Sequence, residues 1–95
     1  MFNNERFDFK ILSVLRPTFP ISERFSPSRP HHALIFRVRG KAEVITGDDR
    51  IHLNKNDVTF VPKGCEYHIS TFSDEEVIVV HFDAAFDKVP PLSNM

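Results

Sequence analysis

Few residues in this sequence are equipped to do chemistry, and most of them are set among strand-forming neighbours. Arg37 and Arg39 interrupt the apolar run Ala33-Leu34-Ile35-Phe36-Arg37-Val38-Arg39. A guanidinium fork pairs bidentately with a carboxylate and also donates to sugar hydroxyls. An arginine turned into a core is costly unless it is paired. Glu43, on the next apolar run, is one candidate partner, and a bound ligand is the other. The single tyrosine, Tyr67, offers a ring that stacks on a sugar and a hydroxyl that hydrogen-bonds it. Five histidines (His31, His32, His52, His68 and His81) are the remaining candidates for metal or acid–base work. Cys65 is the only cysteine. It forms no internal disulfide and no cysteine-based metal site. Lys63 lies close enough in sequence to favour a thiolate, but no histidine stands locally as base, so Cys65 reads as a bystander. No Gly-x-Ser-x-Gly motif is present. Asp74-Glu75-Glu76 reads as a solvated turn and not as a carboxylate site.

These side chains must be positioned by β-structure. Residues 7–15 begin with alternation that puts Phe7, Phe9 and Ile11 on one face, which predicts a strand. Residues 16–32 hold four prolines (Pro17, Pro20, Pro27 and Pro30). Proline lacks an N–H and interrupts ladders, so this stretch is expected to be an extended arm or loop. Six short strands then follow at 33–39, 41–46, 50–53, 58–61, 67–72 and 77–82. Gly47-Asp48-Asp49 is a hairpin signal and Asn54 to Asp57 a polar turn. Pro62-Lys63-Gly64 reverses the chain, because proline fixes φ and glycine permits a positive one. The tail is expected to make one helical turn before Pro90-Pro91 stops it. Six strands at this spacing predict an all-β antiparallel sandwich or barrel. No stretch carries a 3.6-residue apolar period, so no helix-turn-helix is expected within the chain.

Composition bounds the function. The chain has 95 residues, which is the size of one small domain. Twelve Lys and Arg against thirteen Asp and Glu give a net charge of −1. A free-standing nucleic-acid binder usually carries a basic excess, so DNA is expected only through a separate domain. The apolar runs are too short to span a membrane. The N-terminus lacks a basic segment followed by an apolar one, so no signal peptide is expected. With a single cysteine, this predicts a cytoplasmic protein.

Residues 31–83 resemble a cupin, the double-stranded β-helix or jelly roll. The resemblance is carried by Leu34 to Val44, by Leu53 to Gly64 and by Val79-Val80-His81-Phe82-Asp83. More narrowly, the chain resembles the N-terminal ligand-sensing domain of AraC-family transcription regulators. The features are Arg29-Pro30-His31-His32, Arg39-Gly40, the Asp57 to Gly64 turn and His81-Phe82-Asp83, in that order. The implied organisation is one domain over 1–95. It has an N-terminal strand and proline-rich arm (1–32), a jelly-roll core (33–83) and a tail or linker (84–95).

Metal-dependent cupins carry three His and one Glu at fixed spacings. Placed on Gly40, the Glu position is Ala33 and the His positions fall on Pro27 and Arg29, or on Ser26 and Ser28 with the longer spacing. In the second motif only Pro62 and Gly64 match, and Tyr67 stands where the third His belongs. His68 is one residue further, on the opposite face of a strand. No metal and no cofactor are therefore expected.

The family frame turns Ala33, Ile35, Arg37 and Arg39 inward together with Tyr67. The resemblance implies a ligand-binding set of Arg37, Tyr67, His32, Glu43 and His81. His32 would come from the arm. His81 lies either in the pocket or on the outer face, and alternation alone does not decide. Residues 24–32 are either a lid over the barrel mouth or an ordinary connection. The implied function is ligand sensing, with a small molecule (commonly a sugar in this family) as effector and a homodimer as the working form. Phe36 and Val38, facing away from Ile35 and Arg37, would then cover a partner. The alternatives are a stand-alone small cupin, either a metal-dependent isomerase or dioxygenase or a non-catalytic interaction module.

Overall fold

The computed structural model describes residues 9–94. Phe7, expected to share a face with Phe9 and Ile11, lies outside them. The described chain is all-β, with ten strands: β1 (Phe9–Leu15), β2 (Thr18–Phe19), β3 (Glu23–Ser26), β4 (His32–Arg39), β5 (Ala42–Thr46), β6 (Asp49–Leu53), β7 (Val58–Val61), β8 (Tyr67–Thr71), β9 (Glu75–Ala84) and β10 (Ser93–Asn94). The six strands expected between residues 33 and 82 are β4 to β9, with ends shifted by a residue or two. No helix among the described residues is long and apolar enough to cross a membrane.

Two antiparallel sheets face each other. One has six strands, in the order β1-β9-β4-β7-β10, with β2 also pairing β9. The other has four, in the order β3-β8-β5-β6. Alternation sorts the side chains. Ala33 and Ile35 on β4, and Val77 and Val79 on β9, turn inward from the larger sheet. Ala42, Val44, Leu53, Tyr67 and Ile69 meet them from the smaller one. This inner layer is the main core, and its non-directional burial is the dominant stabilising term.

Residues 16–32 are more ordered than their prolines suggest. They form two short strands, each set between prolines: β2 between Pro17 and Pro20, β3 between Pro20 and Pro27. Proline ends each strand without forbidding the ladder between. Further along, Pro17 contributes its carbonyl, which accepts the Val77 N–H at 3.1 Å. Thr71 clamps the arm, since its Oγ1 accepts the Ser22 N–H at 2.7 Å and donates to the Ser22 carbonyl at 3.1 Å.

The tail is also corrected. Residues 84–94 contain no helical turn; they run irregularly into β10, which pairs with β7 through Ser93↔Phe60 and Asn94↔Thr59. A single helical turn gains little in water. Here Leu92 packs against the core, and the Asn94 amide donates to Asp57 Oδ2 at 2.9 Å. The tertiary anchors outweigh the local preference. Asp57 also accepts the Asn54 N–H at 2.7 Å, and these two hydrogen bonds, led by the one from Asn94, hold its carboxyl below the usual range.

Candidate functional site

One end of the inner layer is polar. Arg37 on β4 turns inward beside Ile35, as alternation requires, and only 4% of its side chain is exposed. Arg39, expected on the same face, does not follow. A bulge between Arg37 and Arg39 shifts the register against β9, and Arg39 emerges into solvent at 3.8 Å from Glu76. A bulge inserts one extra residue and so turns the next side chain to the other face.

Arg37 is held by Glu75. The Arg37 Nη1 donates to Glu75 Oε1, and Arg24 Nη2 on β3 donates to Glu75 Oε2 at 2.8 Å. Glu75 is 1% exposed and ranks among the largest fully buried side chains among the described residues. Reading Asp74-Glu75-Glu76 as a solvated turn was therefore wrong for Glu75, which opens β9 and points into the core. Glu43 is not the partner of Arg37. It lies on the outer face of the smaller sheet, 3.0 Å from Arg50 Nη1 and 3.5 Å from His52 Nε2. An inward Arg37 demands a carboxylate on a neighbouring strand, and only the sheet order, which puts β9 beside β4, makes that carboxylate Glu75.

A cavity of about 100 Å³ opens between the sheets beside this pair. Its polar wall is Arg24, Ser26, Arg29, Arg37, Tyr67 and Glu75. Phe19, Ile35, Ile69, Val77 and Val79 form the apolar remainder. Arg24 and Arg29 come from the arm, so residues 24–32 do border the cavity. Arg24 stacks over the Phe19 ring, 4.3 Å from its centroid. Arg29 reaches Tyr67 Oη with both Nη atoms, each at 3.4 Å. Sequence reasoning singled out neither arginine individually, because nothing in a proline-rich stretch tells which side chains fold back.

Of the five residues expected to bind ligand, Arg37 and Tyr67 therefore come together. Glu43 stands on the outer face of the other sheet, as above. His32 lies on the outer side of β4 in an aromatic cluster. Its ring stacks on Phe60 at 5.7 Å between centroids and meets the edge of Phe86 at 5.2 Å. Its Nδ1 accepts the Lys63 N–H at 3.0 Å, which leaves the proton on Nε2. His81 falls opposite Ala33, with Nδ1 3.1 Å from Ser13 Oγ. It is one step beyond Val79 on the inner face and does not line the cavity. His31 pairs with Asp83 at 2.9 Å.

Burial pushes the pKa of both His32 and His81 down, with Lys63 adding to the effect at His32 and Arg29 at His81. A lowered folded-state value makes the unfolded chain the better proton acceptor. Stability carried by the neutral rings is then fully present above the ordinary value of 6.5 and is lost as pH falls below it. A urea titration series is expected to show falling stability from pH 7 downward, with a shallower slope in His32→Phe. An unchanged slope in that variant would remove His32 as a cause. Burial likewise pushes the Cys65 thiol up, which keeps it protonated and unreactive at neutral pH.

A metal does not fit this site. Among the described residues no three His, Cys, Asp or Glu side chains gather as a divalent ion requires. The cavity presents three arginines against one glutamate, a wall that repels a cation.

No protein-family model matches the sequence, and no curated protein is significantly similar to it. Solved structures are similar in shape. A cupin-2 domain containing protein from Shewanella frigidimarina superposes with a TM-score of 0.53 and 14% identity, over 83% of this chain and 72% of that one. The chain has the cupin fold. The cupin domain of Cnp3 from Schizosaccharomyces pombe superposes with a TM-score of 0.58 and 23% identity, over 90% of this chain. The chain spans 65% of that structure, just under two thirds of its length. The polar interior end of the fold is occupied by the Arg24–Glu75–Arg37 bridge and Tyr67.

Proposed function

We propose that the chain is a non-catalytic cupin module that senses a small molecule, as the ligand-binding part of an AraC-type regulator. The observation that carries this reading is the inter-sheet cavity with Arg24 and Arg29 of the arm on its rim. An effector entering the cavity contacts arm and barrel at once, so it changes the stability of the arm against the body. That differential contact is what a sensor needs. Reactive groups are poorly placed for catalysis, since the thiol is protonated and the histidines stand away from the cavity. DNA contact falls to a separate helix-turn-helix domain, in keeping with the net charge of −1. Thermal denaturation with a panel of sugars, small acids and small amines tests the sensor reading. A saturable rise in melting temperature with one class supports it, and no rise with any class overturns it. The regulator assignment is tested by reading the open frame past codon 95 for paired helices with a basic face.

The larger sheet's outer face supports a homodimer. Leu34, Phe36, Val58, Ile78 and Val80 are only half-buried there, and Ile11 and Val14 are exposed. The centre of this face carries no charge, so two copies meet across a two-fold axis without like-charge repulsion. Val80→Lys places a charge at that centre, beside Leu34 and Val14. It is expected to shift the chain from dimer to monomer in sedimentation, with the β-sheet circular dichroism retained. A wild-type chain that sediments as a monomer at micromolar concentration would overturn the dimer.

A further inference from the structure

We infer that the cavity is a site for a short-chain aliphatic carboxylate, with its head on Arg29 and its tail between the sheets. This rests on the binding-module reading and names the ligand of that same site. Three observations carry it.

The first is charge. The wall holds three arginines and one glutamate. Both oxygens of Glu75 are already engaged, one by Arg37 and one by Arg24. Arg29 has no acidic partner among the described residues. Its two Nη atoms reach only the neutral Tyr67 oxygen, each at 3.4 Å, the long limit for such a bond. A half-buried guanidinium whose fork faces a neutral oxygen is short of one anion, and a carboxylate matches that fork in shape and charge.

The second is an unsatisfied donor. Arg37 Nε is buried and has no hydrogen-bond partner. A buried donor left unpaired is a standing cost. Arg37 lines the same cavity as Arg29, so an acceptor oxygen entering it gains a second partner.

The third is size and lining. The cavity is about 100 Å³. An engineered cavity of roughly 150 Å³ holds benzene, and pockets for drug-sized ligands run from about 300 Å³ upward. A ligand of some four to six non-hydrogen atoms is the right scale, well below a hexose. Ile35, Ile69, Val77 and Val79 offer no hydrogen bonds, which suits an alkyl tail and leaves most hydroxyls of a sugar unpaired. Phosphate or sulfate fits less well, because it has no alkyl tail to cover the apolar wall.

Titration of the full chain with sodium butyrate tests the assignment. Tyr67 is the only tyrosine and the chain has no tryptophan, so intrinsic tyrosine fluorescence reports this cavity alone. A saturable change is expected, with a Kd on the order of 0.1–1 mM for so small a ligand. The Arg37 Nε–H resonance is expected to move with the same midpoint. Sodium chloride, butylamine and arabinose at equal concentration are expected to do neither. Arg29→Gln is expected to weaken butyrate at least tenfold. Arg39→Gln, which removes an exposed charge outside the cavity, leaves it unchanged. Should Arg29→Gln fail to fold, the Arg37 resonance in the wild-type chain still decides the question. Saturation by arabinose without butyrate would overturn the carboxylate and keep the binding module. Equal saturation by sulfate would overturn the carboxylate in favour of a general anion site. Silence toward all of these ligands would overturn both readings.

Discussion

Glu75→Gln is expected to remove about 3–5 kcal/mol of stability, the cost of breaking a buried ion pair and leaving its cation behind. Glutamine keeps the shape of the side chain and loses its charge. Arg37, 4% exposed in its side chain, then loses its ion-pair partner. Arg24 loses the same partner but suffers less, because 32% of its side chain is in water and solvent screens it. A domain of this size has only about 5–14 kcal/mol in total. The loss is therefore a large fraction of it and lowers the melting temperature by roughly 15 °C or more. The paired replacement Glu75→Leu with Arg37→Met is expected to recover most of the loss, since apolar side chains of similar volume replace a buried ion pair at little cost. Urea denaturation of the two variants measures both effects. A loss below about 1 kcal/mol in Glu75→Gln would mean that the bridge is not what holds Arg37 in the core.

The second large effect is expected at Gly40, which follows the β4 bulge. Its φ is +98°, a conformation L side chains rarely adopt. A Cβ there would stand 2.6 Å from the Asp74 carbonyl oxygen and 2.9 Å from both Cα and Cβ of Glu75. Two of these three atoms are backbone, so rotating a side chain does not relieve the clash. Gly40→Ala combines backbone strain of about 1–2 kcal/mol with overpacking of about 1–3 kcal/mol. It also pushes directly on the start of β9, where the Glu75 carboxylate is aimed. The expected outcome is a loss of roughly 3 kcal/mol together with weaker ligand response at the cavity. Gly47→Ala is the internal control. Its φ is +57° and its added Cβ meets nothing within 4 Å, so only the backbone contribution of about 1 kcal/mol is expected. Equal losses at the two glycines would show that the packing against Glu75 is unimportant.

Much of the fold is legible in the residues. Alternating apolar positions, Gly47 in its hairpin and the Pro62-Lys63-Gly64 turn, where the Cys65 N–H bonds the Pro62 carbonyl at 3.2 Å, set strands β4 to β9 to within a residue or two. These are short-range rules: side-chain period, proline's fixed φ and glycine's freedom at positive φ all act within a few residues. The inward turn of Arg37 and Tyr67 follows from the same period once one face of the strand is known.

The choice of partners is not local, and there the sequence is silent. Glu75 and Glu43 are both plausible counter-ions for Arg37 by distance along the chain. Only strand order puts β9 beside β4 and sends Glu43 to the far face of the other sheet. The bulge that expels Arg39 depends on how β4 and β9 fit together, so alternation within β4 could not reveal it. Arg24 and Arg29 join the site because Thr71 and Asp74 tie the arm down from 49 or more residues away in sequence. The tail becomes a strand and not a helical turn because Asp57 and the core offer Asn94 and Leu92 better contacts than one turn of helix does. By itself, then, the sequence determined strands β1 and β4 to β9 and the alternation of apolar positions along them, since those follow from local sterics and periodicity. The tertiary structure decided which charges meet across the cavity, since a buried ion pair requires two side chains from distant segments to be brought within a few ångströms of each other.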